Sequence, residues 1–237
     1  MLIPPLMQSA QSWARAGYVE RFAIDHQVIA VDPLGHGDSD KPHDTDAYGS
    51  EPAVAHVVEV LETEGVQRAV CWGYGLGGET ALDLARRRPD LVAAVVVGGV
   101  YLDDYAAGMR AAGQDLAAVI RRSAAALETG DWEGFFDVDP GGYRSEQRSV
   151  LAAENDPLAI AAIVRSGHHR QRGFMKPAAP SFVYWASDDW MTQRNERLVE
   201  RFPVDWKIVP GNRMDAFEVA EPVCDAVRHF LQATITV

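Results

Sequence analysis

The chain has 237 residues, 47% of them hydrophobic and 24% charged, with a formal net charge of −12. That length and balance suit a single soluble globular domain with room for a small insertion, and so acidic a surface repels phosphate backbones and anionic lipid, which argues against nucleic-acid and membrane-surface roles. No run of about 18 apolar residues is present to span a bilayer, and no basic stretch followed by an apolar run and a small-residue cleavage site opens the chain, so a cytoplasmic protein is expected.

Val28-Ile29-Ala30-Val31 is a β-branched run closed by Asp32-Pro33, a strand and its turn. Ser50 opens a helix in which Val54, Val57, Val58 and Leu61 recur at helical spacing, with Gly65 to close it. Ala69 to Trp72 reads as a strand, Gly77 to Arg88 as a helix stopped by Pro89, and Val92 to Val97 as a strand buried on both faces. Between Tyr101 and Pro177 the rhythm changes to Ala-rich helices broken at Gly130, Pro140-Gly141-Gly142 and Pro157. Strands return at Phe182 to Trp185 and Trp206 to Val209, and a last helix sets Val223, Ala226, Val227 and Phe230 on one face. Strand and helix in alternation call for a mostly parallel sheet with helices on both faces. Residues 1–100 and 178–237 are read as the core, and residues 101–177 as a helical cap inserted into it. Cys71 and Cys224 fall in apolar patterns and read as reduced core thiols. Lysine occurs only at 41, 176 and 207, the rest of the cations being arginine, which points to a GC-rich bacterial genome.

Three segments carry a family likeness: Asp32-Pro33-Leu34-Gly35-His36-Gly37-Asp38-Ser39-Asp40-Lys41-Pro42, Trp72-Gly73-Tyr74-Gly75-Leu76-Gly77-Gly78, and Tyr184-Trp185-Ala186-Ser187-Asp188-Asp189. In order and spacing they resemble the D-x-x-G-x-G-x-S loop, the G-x-S-x-G-G nucleophile elbow and the acid-bearing strand of the α/β-hydrolase fold superfamily. The resemblance implies that fold, with Met1–Ile3 as the family's third strand and the two strands before it missing. That would leave a sheet edge through which a homodimer could form.

The same resemblance places Gly75 where the family carries its attacking serine. Glycine has no side chain with which to form an acyl-enzyme. At the family's histidine position, in the loop Pro210-Gly211-Asn212-Arg213-Met214-Asp215-Ala216-Phe217, stands Arg213 or Met214, depending on a one-residue gap. Arginine stays protonated and cannot serve as a general base, and neither can methionine. Asp189 is the retained acid, with Asp188 as its neighbour. The family's oxyanion donors correspond to the backbone N–H groups of Leu6 and Leu76. An Asp189–Arg213 pair would be either a fixed cation facing a ligand or a structural remnant.

Tyr74, Trp190, Tyr101 and His36 are expected at the pocket, and Phe135 and Phe136 in the core of the cap. An aromatic-lined pocket suits a small hydrophobic or aromatic molecule. His36 and Asp32 read as parts of the Gly-His-Gly loop, not as the base. His168 and His169, among arginines, read as a solvated basic surface or as a cap base reaching the pocket. No metal-type spacing occurs, and no cofactor is expected. Gly73, Gly75 and Gly78 also fit the dinucleotide fingerprint G-x-G-x-x-G, but that reading leaves the loop at 32–42 and the C-terminal segment unexplained. The expectation is a divergent member with a degenerate triad. It binds or transforms a small carbonyl compound by lyase-, isomerase- or cyclase-like chemistry, the alternatives being a pseudoenzyme that binds a small molecule and a weak hydrolase.

Overall fold

The computed structural model describes residues 1–102, 104–138, 143–167, 178–201 and 204–235. Five parallel strands, β1 (Leu2–Ile3), β2 (Ala69–Tyr74), β3 (Val92–Gly98), β4 (Ser181–Ala186) and β5 (Asp205–Val209), lie side by side in chain order. β3 is central and buried on both faces, which is why its sequence is an almost unbroken run of valine and alanine.

Each face of the sheet has its own core. On one side α1 (Ala10–Arg15), α2 (Tyr18–Phe22), α11 (Arg213–Glu218) and α12 (Ala220–Thr234) enclose Trp13, Tyr18, Trp72, Tyr184, Phe217 and Phe230. On the other side α3 (Ser50–Thr63), α4 (Leu76–Arg87) and α10 (Thr192–Val199) enclose Val54, Leu61, Leu84, Val95, Val183 and Val199. Full burial of each such aliphatic side chain is worth about 1.5–3 kcal/mol. Five more helices connect β3 to β4: α5 (Tyr105–Ala111), α6 (Leu116–Glu128), α7 (Trp132–Val138), α8 (Ser145–Glu154) and α9 (Pro157–Ser166). The last four of them share a third core around Leu127, Phe135, Phe136, Leu151 and Ile160. Cys71 and Cys224 are buried and unbridged. Among the described residues, no helix is long and apolar enough to cross a membrane.

The segment Val28–Val31, expected as a strand, forms a single bridge, Ala30 to Leu2. The reason is its partner: β1 is two residues long, and once the Leu2 N–H reaches Ile29 and the Val31 N–H reaches Leu2 no ladder remains to extend. The loop that follows is tied to the Asp32 carboxylate, which accepts the N–H groups of Ala10 (2.6 Å) and Asp38 (2.8 Å).

α4 packs against β2 and β1 backbone to backbone. A Cβ at Gly77 would strike the carbonyls of Ile3 and Pro4, and one at Gly73 would strike Gly77 itself. A Cβ at Gly75 would meet only Pro5, at 3.4 Å, so its constraint is the backbone, at φ 51°. Gly75→Ala is therefore expected to cost about 1–3 kcal/mol in strain, whereas Gly77→Ala forces the helix off the sheet and costs several-fold more; denaturant titration of the two variants separates these outcomes.

Candidate active site

The site grows from the turn between β2 and α4. The buried end of β2 delivers Tyr74, the chain reverses at Gly75 (φ 51°, ψ −120°), and α4 starts at Leu76. The Gly75 N–H is anchored to the carbonyl of Gly98 at 2.9 Å, which pins the turn to the end of β3. The Leu76 N–H, first in its helix, has no acceptor within that helix. Facing the turn is the segment after β1. There Pro5 to Gln8 closes a turn (Gln8 N–H to Pro5 carbonyl, 3.1 Å) with Met7 in the left-handed region at φ 63°, and Asn155 donates to the Met7 carbonyl at 2.9 Å.

From the far end of the sheet come Asp189, after β4, and Arg213, first residue of α11. The guanidinium holds the carboxylate in two-pronged fashion, Nε to Oδ2 at 2.7 Å and Nη2 to Oδ1 at 3.2 Å, and the Asp189 side chain is only 2% exposed. Oδ1 also accepts the Met191 N–H at 3.1 Å. The Tyr74 hydroxyl donates to the Arg213 carbonyl, which ties this end of the site back to the elbow strand. α11 lies where the sequence suggested a loop. It forms because the Asn212 side chain caps it, accepting from Met214 at 2.9 Å and Asp215 at 3.0 Å.

Between these elements lies a cavity of about 140 Å³. Of the residues singled out in the sequence, Leu6, Tyr74, Gly75, Leu76, Tyr101, Arg213 and Met214 all line it. Three are placed elsewhere. Asp189 stands behind Arg213. Trp190 stacks on Tyr101, ring centroids 5.5 Å apart, and so backs the wall instead of forming it. His36 lines a second, smaller and mainly apolar cavity of about 70 Å³ with Tyr48, His56 and Ile163; its Nδ1 lies 3.2 Å from the Leu34 carbonyl, and burial pushes it down to about 4, so the ring is neutral at neutral pH. Phe135 and Phe136 are both in the core shared by α6–α9, as expected, and Phe135 also reaches the main cavity. His168 and His169 lie outside the described residues. Among the described residues, no group of three or more His, Cys, Asp or Glu is arranged to hold a metal ion.

One residue escaped the sequence reading. Glu79 lines the cavity and is 8% exposed. Its signal was present: position 79 is one helical turn from 75 and shares its face, and a charged residue on the buried side of a helix is an exception that asks for a role. Burial pushes its carboxyl up to about 8, against the opposing pull of the Arg213 guanidinium.

A family model described as alpha/beta hydrolase fold matches residues 2–130. The chain is 40% identical over 79 residues to 2-hydroxymuconate semialdehyde hydrolase of Pseudomonas putida (33% of this chain, 28% of that one) and 27% identical over 79 residues to epoxide hydrolase 4 of Mus musculus (33% and 22%). Both matches thus span less than a third of the relatives' length. Among solved structures it resembles MGS-M2, an α/β-hydrolase enzyme from a Medee basin deep-sea metagenome library (TM-score 0.79, 18% identity, 100% of this chain and 90% of that one), and the bottromycin epimerase BotH in complex with bottromycin A2 (0.78, 20%, 99% and 89%). At such identities the likeness to the solved structures is one of fold.

The Glu79 carboxyl carries a stability signature with a definite sign. Folded, it keeps its proton to about pH 8; unfolded, it releases it near 4.5. Between those values the native state binds more protons, so its stability falls as pH rises. Glu79→Gln is expected to abolish this loss, gaining on the order of 3 kcal/mol over the native chain at pH 7 and little at pH 4.5, as read from melting curves across that range.

Proposed function

The chain belongs to the α/β-hydrolase fold family, and on that premise we propose that it binds and transforms a small apolar carbonyl compound without serine chemistry. The observation that carries this is the turn at Gly75: its geometry and its place beside the Leu76 N–H suit a nucleophile elbow, yet the residue at its apex has no side chain. At the base position stand Arg213 and Met214, neither of which accepts a proton. Asp189, the group that would orient a histidine, is occupied by Arg213.

What persists is the electrostatic half of the machinery. On this reading, the N–H groups of Leu6 and Leu76 take a carbonyl oxygen and stabilise the negative charge that grows on it when an enol or enolate forms. Donors of this kind serve a lyase, isomerase or cyclase as well as a hydrolase. The two curated relatives described above are named hydrolases, and BotH is named an epimerase, so the names attached to this fold include both kinds of reaction. A cavity near 140 Å³ is about the size that accommodates a single benzene ring, which keeps the ligand small. The two-pronged Asp189–Arg213 pair also fits a second reading, a pseudoenzyme that binds the same class of molecule without turning it over.

A fluorophosphonate probe distinguishes these readings from a surviving serine hydrolase. The native chain is expected to remain unlabelled and to leave p-nitrophenyl esters at the background rate. A labelled serine located by mass spectrometry, with esterase activity lost on its replacement, would overturn the proposal.

A further inference from the structure

The second cavity, between α3, α9 and the loop after Val31, plays no part in the chemistry above. Its wall is mostly aliphatic, from Ile3, Val31, Leu34, Val57, Val60 and Ile163, and among the described residues it shares only Leu76 with the Gly75 cavity. One polar atom there is unspent. His36 lines the cavity and is 2% exposed, and its Nε2 is buried with no hydrogen-bond partner among the described residues.

The tautomer of that ring follows from its other nitrogen. Nδ1 lies 3.2 Å from the Leu34 carbonyl, and a carbonyl oxygen only accepts, so Nδ1 carries the hydrogen. Burial keeps the ring neutral, outweighing the Leu34 and Pro33 carbonyls and the Asp32 carboxylate, which favour charge, while the Lys41 ammonium opposes it. Nε2 is therefore a lone pair, an acceptor in a dry setting that asks for a donor. The other polar side chains lining the cavity are already engaged or reach solvent. Asp32 accepts the N–H groups of Ala10 and Asp38, the Tyr48 hydroxyl donates to the Pro42 carbonyl at 2.6 Å, and the Thr80 hydroxyl donates to the Leu76 carbonyl at 3.1 Å. His56, on α3, is half-buried.

A ligand that suits this space brings one donor hydrogen and otherwise carbon. A carboxylate brings no hydrogen. An ammonium brings a charge that an aliphatic wall does not solvate. Water brings two hydrogens, and one of them is left over once Nε2 is satisfied. An alcohol brings one, with carbon to lay against the wall. The cavity holds about 70 Å³, roughly half the ~150 Å³ that takes a benzene ring, which limits the skeleton to about three or four carbons.

We propose that this cavity is a binding site for a small neutral alcohol, whose hydroxyl donates to His36 Nε2 and whose carbon skeleton packs against Val57, Val60 and Ile163. The site is separate from the one at Gly75 and does not depend on the chemistry there.

Propan-2-ol is the probe, and acetone, with the same skeleton and an oxygen that only accepts, is the control. Both are titrated into the full native chain carrying 15N-labelled histidine. Propan-2-ol is expected to bind about tenfold tighter than acetone. It is expected to move the His36 Nε2 resonance upfield, as a lone pair does on accepting a hydrogen bond, while Nδ1 keeps its hydrogen; acetone is expected to leave Nε2 where it was. Ala53→Leu, which extends an α3 side chain into the cavity and leaves His36 in place, is expected to weaken propan-2-ol binding about tenfold or more. Equal affinity for the two probes, an Nε2 resonance unmoved at saturating propan-2-ol (the result if water alone serves the ring), or undiminished binding in a folded Ala53→Leu would each overturn the proposal. The resonance test needs no substitution, and none of these outcomes bears on the Gly75 cavity, whose reading falls separately, to a labelled serine.

Discussion

The crossing of β2 and α4 is the constraint on which the rest depends. Helix backbone lies directly on strand backbone, with Gly73 and Gly77 leaving no room for a Cβ between them and Gly78 closed off by the Val100 side chain. Any side chain there would lift the helix, move its first N–H away from the segment after β1, and open the cavity floor. Gly75 differs from these three. Space for a Cβ exists, and what glycine supplies is a backbone near φ 51° that other residues adopt only under strain. The turn is thus held by its neighbours whether or not its apex carries a side chain.

That separation recurs on the other side of the cavity. Asp189 sits at the end of β4 with one oxygen receiving the Met191 N–H and both receiving Arg213. An imidazole would accept orientation from such a carboxylate and pass protons; a guanidinium accepts the orientation and passes none. The pair is nearly dry, and its strength comes from geometry on both prongs. Removing either partner would strand the other as a buried charge.

Much of this was legible in the residues themselves. The valine run at 92–97 declared a central parallel strand, and the glycines at 73, 77 and 78 declared a tight strand-to-helix turn. Leu6, Leu76, Arg213 and Met214 come together because motif order carries topology. Proximity inside loops was less legible. His36 and Trp190 stand close to the cavity in sequence terms, yet His36 turns into a separate apolar space and Trp190 stacks behind Tyr101. Val28–Val31 has the composition of a strand, but pairing is a property of two segments, and its partner is too short. Glu79 was missed because a search by motif stops at the motif's end, whereas the helix carries the same face one turn further.

The cavity is built from two sources that answer to different pressures. Its floor comes from the sheet ends and from the first turns of α4 and α11, and its charged side chains, Glu79 and Arg213, lie there, on backbone that cannot move without disturbing the sheet. Its roof comes from Leu116, Val119, Ile120, Ser123, Phe135 and Val164, on helices that also share a core of their own. A substitution in the roof changes the volume and contour offered to a ligand and leaves the sheet's hydrogen bonds as they are. A substitution in the floor changes charge or donor placement and is paid for in the stability of the whole domain. On the proposed reading, ligand shape is set by the helices between β3 and β4, and ligand polarity by the sheet. It follows that a relative with the same floor and a different roof should bind the same functional group on a different carbon skeleton.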